Sequence, residues 1–160
     1  MIKDRFGCDG YNVFVINISN NQLKYRDKII SVEEFEKIIL NMDNGIIQEL
    51  VQQGSYGTSL FEKSVNTIRI VSMKKKNECR HEVVAALQRI GTRISAPVDN
   101  FNQGGLSSII DIKSGELGKA SGIREVDSNG QRCFYSKHPD TDAQIEGLRV
   151  PNWLVLKNKI

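Results

Sequence analysis

Residues 11–18 bring Tyr11, Val13, Phe14, Val15, Ile16 and Ile18 close together and end at Ser19-Asn20-Asn21. That is the pattern of a strand running into a turn, and residues 22–25 read as the return strand of a hairpin. Ser31-Val32-Glu33-Glu34 then fits a capping box. The Ser31 hydroxyl would accept from the backbone N–H of Glu34, and the Glu34 carboxylate would accept from the N–H of Ser31. Val32, Phe35, Ile38, Ile39 and Met42 follow at steps of three and four, which turns one apolar stripe of a helix toward a sheet. Asp43-Asn44-Gly45 supplies the stop, and residues 46–51 read as the next strand.

Residues 52–63 are polar, with Gly54 and Gly57, and mark a boundary. Beyond it residues 67–73 predict a strand and Lys74-Lys75-Lys76-Asn77 a charged turn. Residues 79–89, with an apolar run from Val83 to Leu87, predict a returning strand. Residues 109–112 and the segment from Leu117 predict a hairpin turning at Ser114-Gly115. Asp127-Ser128-Asn129-Gly130 ahead of residues 131–135 predicts another, because Asn-Gly suits a turn that needs positive φ. Strands outnumber helices, and neither a repeat nor a sustained heptad is present. The expected fold class is α+β, with a small strand–hairpin–helix–strand subdomain over residues 1–53 and a larger, mostly antiparallel subdomain over residues 54–160.

Composition narrows the function classes. A chain of 160 residues, 39% hydrophobic, with 13 Gly and 3 Pro, is long enough for one core and excludes collagenous, low-complexity and disordered classes. Lys and Arg number 22 against 19 Asp and Glu, an excess too small to mark a dedicated nucleic-acid binder. Cys8, Cys79 and Cys133 are odd in number, widely spaced and outside any CxxC pair. Neither a disulfide framework nor a zinc site is expected, and a reducing cytoplasm is the expected compartment. No apolar signal core opens the chain, and no apolar run approaches the roughly 20 residues of a membrane span.

Five clusters carry candidate chemistry. Lys3 ends a short strand ahead of a loop containing Gly7 and Gly10, whose backbone N–H groups could lie over a polyphosphate while the lysine neutralises its charge. An ordinary hairpin turn with a solvated lysine has the same spacing. Gln48, Glu49, Leu50 and Val51 could offer backbone groups to an adenine edge, or form an edge strand with a solvent-facing glutamate. Asn66 and Arg69 head a strand in which alternation turns Arg69 away from Ile68 and Ile70. A guanidinium there suits phosphate or carboxylate if its face lines a cleft, and is a surface charge if it meets water. Val98-Asp99-Asn100-Phe101-Asn102-Gln103-Gly104-Gly105 gathers amides, a carboxylate and two glycines that permit close backbone approach to a ligand. A turn that satisfies its own Asx hydrogen bonds is the plainer reading. His138, beside Pro139 with Asp140 and Asp142 nearby, could act as an acid or base or contact a substrate. His81 sits inside a strand-like segment, so no histidine metal site is expected, and Trp153 reads as a core or interface anchor.

Taken in order, a set of motifs resembles the sugar-transfer-associated ATP-grasp family of surface-polysaccharide gene clusters. They are Ile2-Lys3 with Gly7 and Gly10, Gln48-Glu49, Ser64-Val65-Asn66-Thr67-Ile68-Arg69, Val98-Asp99-Asn100 with Gly104-Gly105, Gly115, and His138-Pro139 with Pro151 and Trp153. The resemblance spans nearly the whole chain. It implies ATP and Mg2+ as cofactors and a nucleotide lying between the two subdomains. Lys3 would meet the ATP phosphates under the loop of Gly7 and Gly10, and Gln48, Glu49, Leu50 and Val51 would form an adenine-binding hinge. Arg69 and Asn100 would be catalytic, with Arg69 facing phosphate or an acyl-phosphate intermediate, and Asn66, Asp99, Gly104, Gly105 and His138 would meet substrate or phosphate. The implied activity is activation of a carboxylate by ATP and its joining to an amine-type nucleophile on a small-molecule or glycan-linked acceptor. The resemblance also implies a partial chain without the family's N-terminal domain and C-terminal magnesium carboxylates. No metal ligand is therefore assigned, and self-association or a complementing chain is expected.

Two other classes fit parts of the pattern. A degenerate ATP-grasp remnant would serve as a non-catalytic binding or assembly module. A small carbohydrate-binding domain would stack sugars on Tyr56, Phe101 and Trp153.

Overall fold

The computed structural model describes residues 1–8, 10–25, 28–42, 44–76, 81–123, 126 and 128–160. Asp9, Asp43, Cys79 and Asp127, on which parts of the loop, helix-stop, strand and turn expectations rest, lie outside them. The fold is α+β with antiparallel sheets, and the chain divides into two compact units, Met1–Gln52 and Gln53–Ile160.

In the first unit, β1 (Ile2–Asp4) is the centre of a sheet, flanked by β2 (Val13–Phe14) and β6 (Gly45–Ile47). The single strand expected over residues 11–18 is two strands serving two sheets. It breaks at Val15, and β3 (Ile16–Ser19) joins β4 (Gln22–Tyr25) and β5 (Lys28–Ile30). Pairing with β1 ends at Ile2 opposite Phe14, while Asn20 and Asn21, with φ of 49° and 57°, make the two-residue turn that sets Ser19 against Gln22. Helix α1 (Val32–Leu40) starts at the capping box: Ser31 Oγ accepts from the Glu34 N–H at 3.1 Å, and the Ser31 N–H donates to the Glu34 carboxylate at 2.8 Å. It ends at the Asn41 cap, ahead of Asn44-Gly45, and its stripe is half-buried at Phe35, Ile38, Ile39 and Met42 and exposed at Val32.

The strand expected over residues 46–51 stops at Ile47. The register sets Ile47 opposite Ile2, so Gln48 falls opposite Met1, whose carbonyl accepts from the Gln48 N–H at 2.9 Å. No residue of β1 stands opposite Glu49, Leu50 or Val51, and these are irregular and exposed.

The second unit opens with a helix where the polar segment 52–63 implied a loop. Helix α2 (Ser55–Leu60) is anchored by Leu60 and Phe61, at 0% and 4% exposure, two apolar residues too few to give a periodic signal. A four-stranded sheet follows in the order β10–β9–β8–β7, with β7 at Ile68–Lys74, β8 at His81–Ile90, β9 at Leu106–Ile110 and β10 at Leu117–Gly122. One face carries Ala86, Ile90, Leu106, Ile110, Leu117 and Ala120 into a core closed by Leu60, Phe61, Ile145, Val150 and Trp153, the last opening helix α3 (Trp153–Asn158). Each fully buried Leu or Ile there contributes about 1.5–3 kcal/mol. Among the described residues of the first unit, Ile2 is the one apolar side chain so buried.

Strand β9 begins three residues ahead of the expected Ile109, because Leu106 is drawn fully into the core. The turn at Ser114-Gly115 is present: Gly115 has φ +74°, and a Cβ there would lie 2.6 Å from Trp153. Gly130 also takes a positive φ, 75°, but the strand expected over residues 131–135 is replaced by isolated bridges, Val126 to Arg132 and Ala120 to Tyr135.

Candidate functional site

Several polar residues of the quoted motifs converge inside the second unit. Asn66, just ahead of β7, donates from Nδ2 to Phe61 O at 2.7 Å, Gly57 O at 2.8 Å and Gln53 Oε1 at 3.1 Å. Its Oδ1 accepts from the Gly91 N–H at 2.8 Å and from Ser64 Oγ at 3.2 Å. His138 is 1% exposed, and its Nδ1 accepts from the Asp140 N–H at 3.1 Å. Nε2 therefore carries the proton and donates to Gly91 O at 2.8 Å, while the ring stacks on Phe61 at 5.1 Å between centroids. Both side chains are held by contacts within the second unit. Gly91 joins them because only a residue without Cβ fits there.

The amide-rich cluster behaves likewise. Asn100 Oδ1 accepts from the Asn102 N–H at 2.9 Å, and residues Phe101–Gln103 form a 3-10 turn ending at Gly104, φ +99°. A Cβ on Gly105 would stand 2.7 Å from Asp99 O, so this glycine serves the turn's own closure. Thr92 Oγ1 donates to Gly104 O at 2.8 Å.

Trp153 is buried and Tyr56 and Phe101 are half-buried, so the three aromatic rings do not stand open together as sugar stacking would need. Trp153 is 3% exposed and donates from Nε1 to Ile112 O at 2.9 Å; Tyr56 donates from its hydroxyl to Gln88 Oε1 at 3.0 Å. Gln88, fully buried, passes its own N–H groups to Thr67 O at 3.1 Å and Arg89 O at 3.0 Å. Burial pushes the Tyr56 phenol up to about 12. An acid raised in the folded state favours folding in its neutral form, so stability is full below pH ~10, where the unfolded phenol is still neutral. It is lost as the pH rises from there through about 12. Denaturant melts from roughly a unit below this window up to its upper end are expected to show this loss in the wild type and a flatter profile in Tyr56→Phe.

The other face of the four-stranded sheet is the uncovered one. Alternation along β7 leaves Ile68 and Ile70 half-buried and Arg69 exposed, and Arg69 has no hydrogen bond or ion pair among the described residues. It stands opposite Leu87, which in turn faces Ile109; Arg89, two residues along β8, faces Ser107. Arg69 and Arg89 are thus diagonal neighbours on one face, with Cβ atoms roughly 7–8 Å apart. Asp99 closes the end of this face, its Oδ2 accepting from Thr67 N–H at 2.8 Å and from the Thr67 hydroxyl, its Oδ1 pairing with Arg89 at 3.1 Å. Arg89 escaped the sequence reading. Its signal is the alternation of Gln88-Arg89-Ile90, which sends Arg89 to the side Arg69 shares.

In the first unit, Lys3 is half-buried at the centre of β1, opposite Val13 and Ile46, and has no partner among the described residues. The loop after it folds onto Asp4, whose carboxylate accepts from Asn12 Nδ2 at 2.7 Å. Gly7 N–H donates to Asp4 O at 3.4 Å, and Gly10 takes φ 76°. Gln48 is tied to Met1 through both backbone groups, with the Met1 ammonium donating to Gln48 O at 2.8 Å. Among the described residues no three His, Cys, Asp or Glu side chains converge as cation ligands would.

The fold is thus an α+β one whose antiparallel four-stranded sheet carries two guanidiniums on its open face. The family model described as sugar-transfer associated ATP-grasp matches residues 1–158, and the chain belongs to that family. ATP binding and ligase-type chemistry are the general property of ATP-grasp proteins. No curated protein and no solved structure matches the chain. No helix among the described residues is long and apolar enough to cross a membrane.

Proposed function

We propose that this chain is the ATP-binding portion of a ligase-type protein that activates a carboxylate for transfer to an amine-type nucleophile in surface-polysaccharide or glycoconjugate synthesis. The observation that carries this reading is the arginine pair on the open sheet face, Arg69 with no partner among the described residues and Arg89 on its diagonal. Two forked guanidiniums suit a phosphoryl group, whose oxygens take several N–H donors at once. A carboxylate oxygen bonds to the γ-phosphorus as the bond from that phosphorus to ADP breaks. The amine nitrogen then attacks the acyl carbon, phosphate leaves, and the nitrogen gives up a proton. Arg69 and Arg89 neutralise the phosphoryl oxygens, and Asn100 keeps its amide N–H groups for the same group. Lys3 with Gly7 and Gly10 as a phosphate contact, and the backbone of residues 48–51 as an adenine contact, belong to the same proposal.

The test is a calorimetric titration of the 160-residue chain with ATP. Saturable binding is expected, weakened tenfold or more, about 1.4 kcal/mol, in Arg69→Ala with thermal stability unchanged. Equal affinity in the variant removes Arg69 from the site, and absence of binding by the wild type removes the reading.

A further inference from the structure

We infer that Asp99 is a positioning residue, one that sets the guanidinium of Arg89 for an anion it does not touch itself. The inference rests on the ATP reading above. Asp99 lies 6% exposed, and among the described residues the hydrogen bonds and ion pair of its carboxylate run to Thr67, just ahead of β7, and to Arg89 on β8. Oδ1 holds Arg89 at 3.1 Å, while Oδ2 holds the N–H and hydroxyl of Thr67 at the head of β7. The same Thr67 accepts at its carbonyl from the Arg89 N–H at 2.7 Å. Arg89 is therefore fixed at both ends, backbone to Thr67 and side chain to Asp99, and its side chain stays 20% exposed on the open face. Arg69, two residues beyond Thr67, has no such tie.

Charge alone argues against this arrangement. A carboxylate beside a phosphate-binding arginine repels the phosphate and weakens its attraction. The benefit lies in geometry: an arginine already held in one rotamer gives up less freedom on meeting an anion than one loose on the surface. The two effects have opposite signs, and that makes the inference testable. If Asp99 acts by charge, Asp99→Asn binds ATP more tightly; if it positions Arg89, the variant binds less tightly.

The experiment is ATP calorimetry on the full chain in a double-mutant cycle of Asp99→Asn and Arg89→Ala, with thermal melts of each variant. Asp99→Asn is expected to weaken ATP by about three- to tenfold in the presence of Arg89 and to cause no weakening in the Arg89→Ala background, where only the repulsion is removed. Tighter or equal binding overturns the inference, as does an equal loss in both backgrounds, which is the mark of a purely structural role. A second readout needs no variant. In the wild type, slow rotation about the Arg89 guanidinium bonds, seen by nitrogen NMR, is expected before ATP is added, and slow rotation of Arg69 only afterwards. A freely rotating Arg89 overturns the inference on its own. Failure of the underlying ATP reading looks different: the wild type then gives no ATP heat, and Arg69→Ala is indistinguishable from it.

Discussion

Gly91→Ala is expected to unfold the second unit at temperatures where the wild-type chain is stable. A Cβ built on Gly91 lies 1.9 Å from Ser64 Oγ, 2.7 Å from Ser64 Cβ and 3.1 Å from a Phe61 ring carbon. Ser64 and Phe61 are both buried, so neither can swing aside, and relief has to come from moving the backbone. Any such shift breaks what Gly91 holds on either side, the N–H to Asn66 at 2.8 Å and the carbonyl to His138 at 2.8 Å. Overpacking together with two lost buried hydrogen bonds costs about 3 kcal/mol or more. Calorimetric melts should show a Tm lowered by more than about 10 °C. Ser64→Gly added to Gly91→Ala removes the closest atoms and is expected to restore part of the loss. A Gly91→Ala chain that melts like the wild type would show that the glycine is not packed as described.

Asn66→Asp is the second large effect, and it is expected to be worse than Asn66→Ala although it changes the shape least. The amide N–H groups of Asn66 face the oxygens of Phe61, Gly57 and Gln53. A carboxylate in the same place sets its charge against those oxygens with no donor between them, a penalty of about 3–5 kcal/mol at neutral pH. The alanine variant also loses the amide's hydrogen bonds but adds no charge, and the three oxygens keep their bonds from Gln53 Nε2, the Phe61 N–H and the Asn66 N–H. The penalty depends on pH in a fixed direction. Repulsion raises the new carboxyl's pKa in the folded chain above its unfolded value of about 3.9, so the cost is smallest below that value and grows as pH rises through the folded pKa. Denaturant titrations at pH ~4 and pH ~7, either side of that rise, should show the gap to the wild type widening with pH. A gap that does not change with pH would show that the residue 66 side chain does not face those oxygens.

The elements that were legible in the sequence are those whose signal is local. The capping box at Ser31 and Glu34 lies within one helical turn, and the turn at Asn20 and Asn21 is set by two residues that tolerate positive φ. Strands β7 and β8 show in their alternation and apolar runs, and the same alternation placed Arg69 on the open face. What could not be read depends on distant partners. Whether residues 48–51 continue a strand is decided by the register of Ile47 against Ile2, 45 residues away in the chain. Helix α2 rests on two apolar anchors that matter only because a core waits for them. The site residues divide in the same way. Asn66, Asp99 and His138 have the residue types of ligand contacts, and their partners Gly91, Thr67 and Gly91, separated by 25, 32 and 47 positions, could not be read from the sequence. Arg89 was hidden because its neighbours on both sides are drawn into the core.

The junction at Gly91 also bears on how this fold registers in comparisons among sequences. Asn66 and His138 recognise main-chain atoms, an N–H and a C=O that every residue other than proline would offer in the same way. A change at Asn66 or His138 therefore has no compensating change at residue 91, because the atoms being recognised do not vary with the side chain. Three segments far apart in the chain meet at this point through main-chain atoms that a side-chain substitution at residue 91 does not alter. Paired variation is not expected to mark such a contact, and joint invariance of the three positions would.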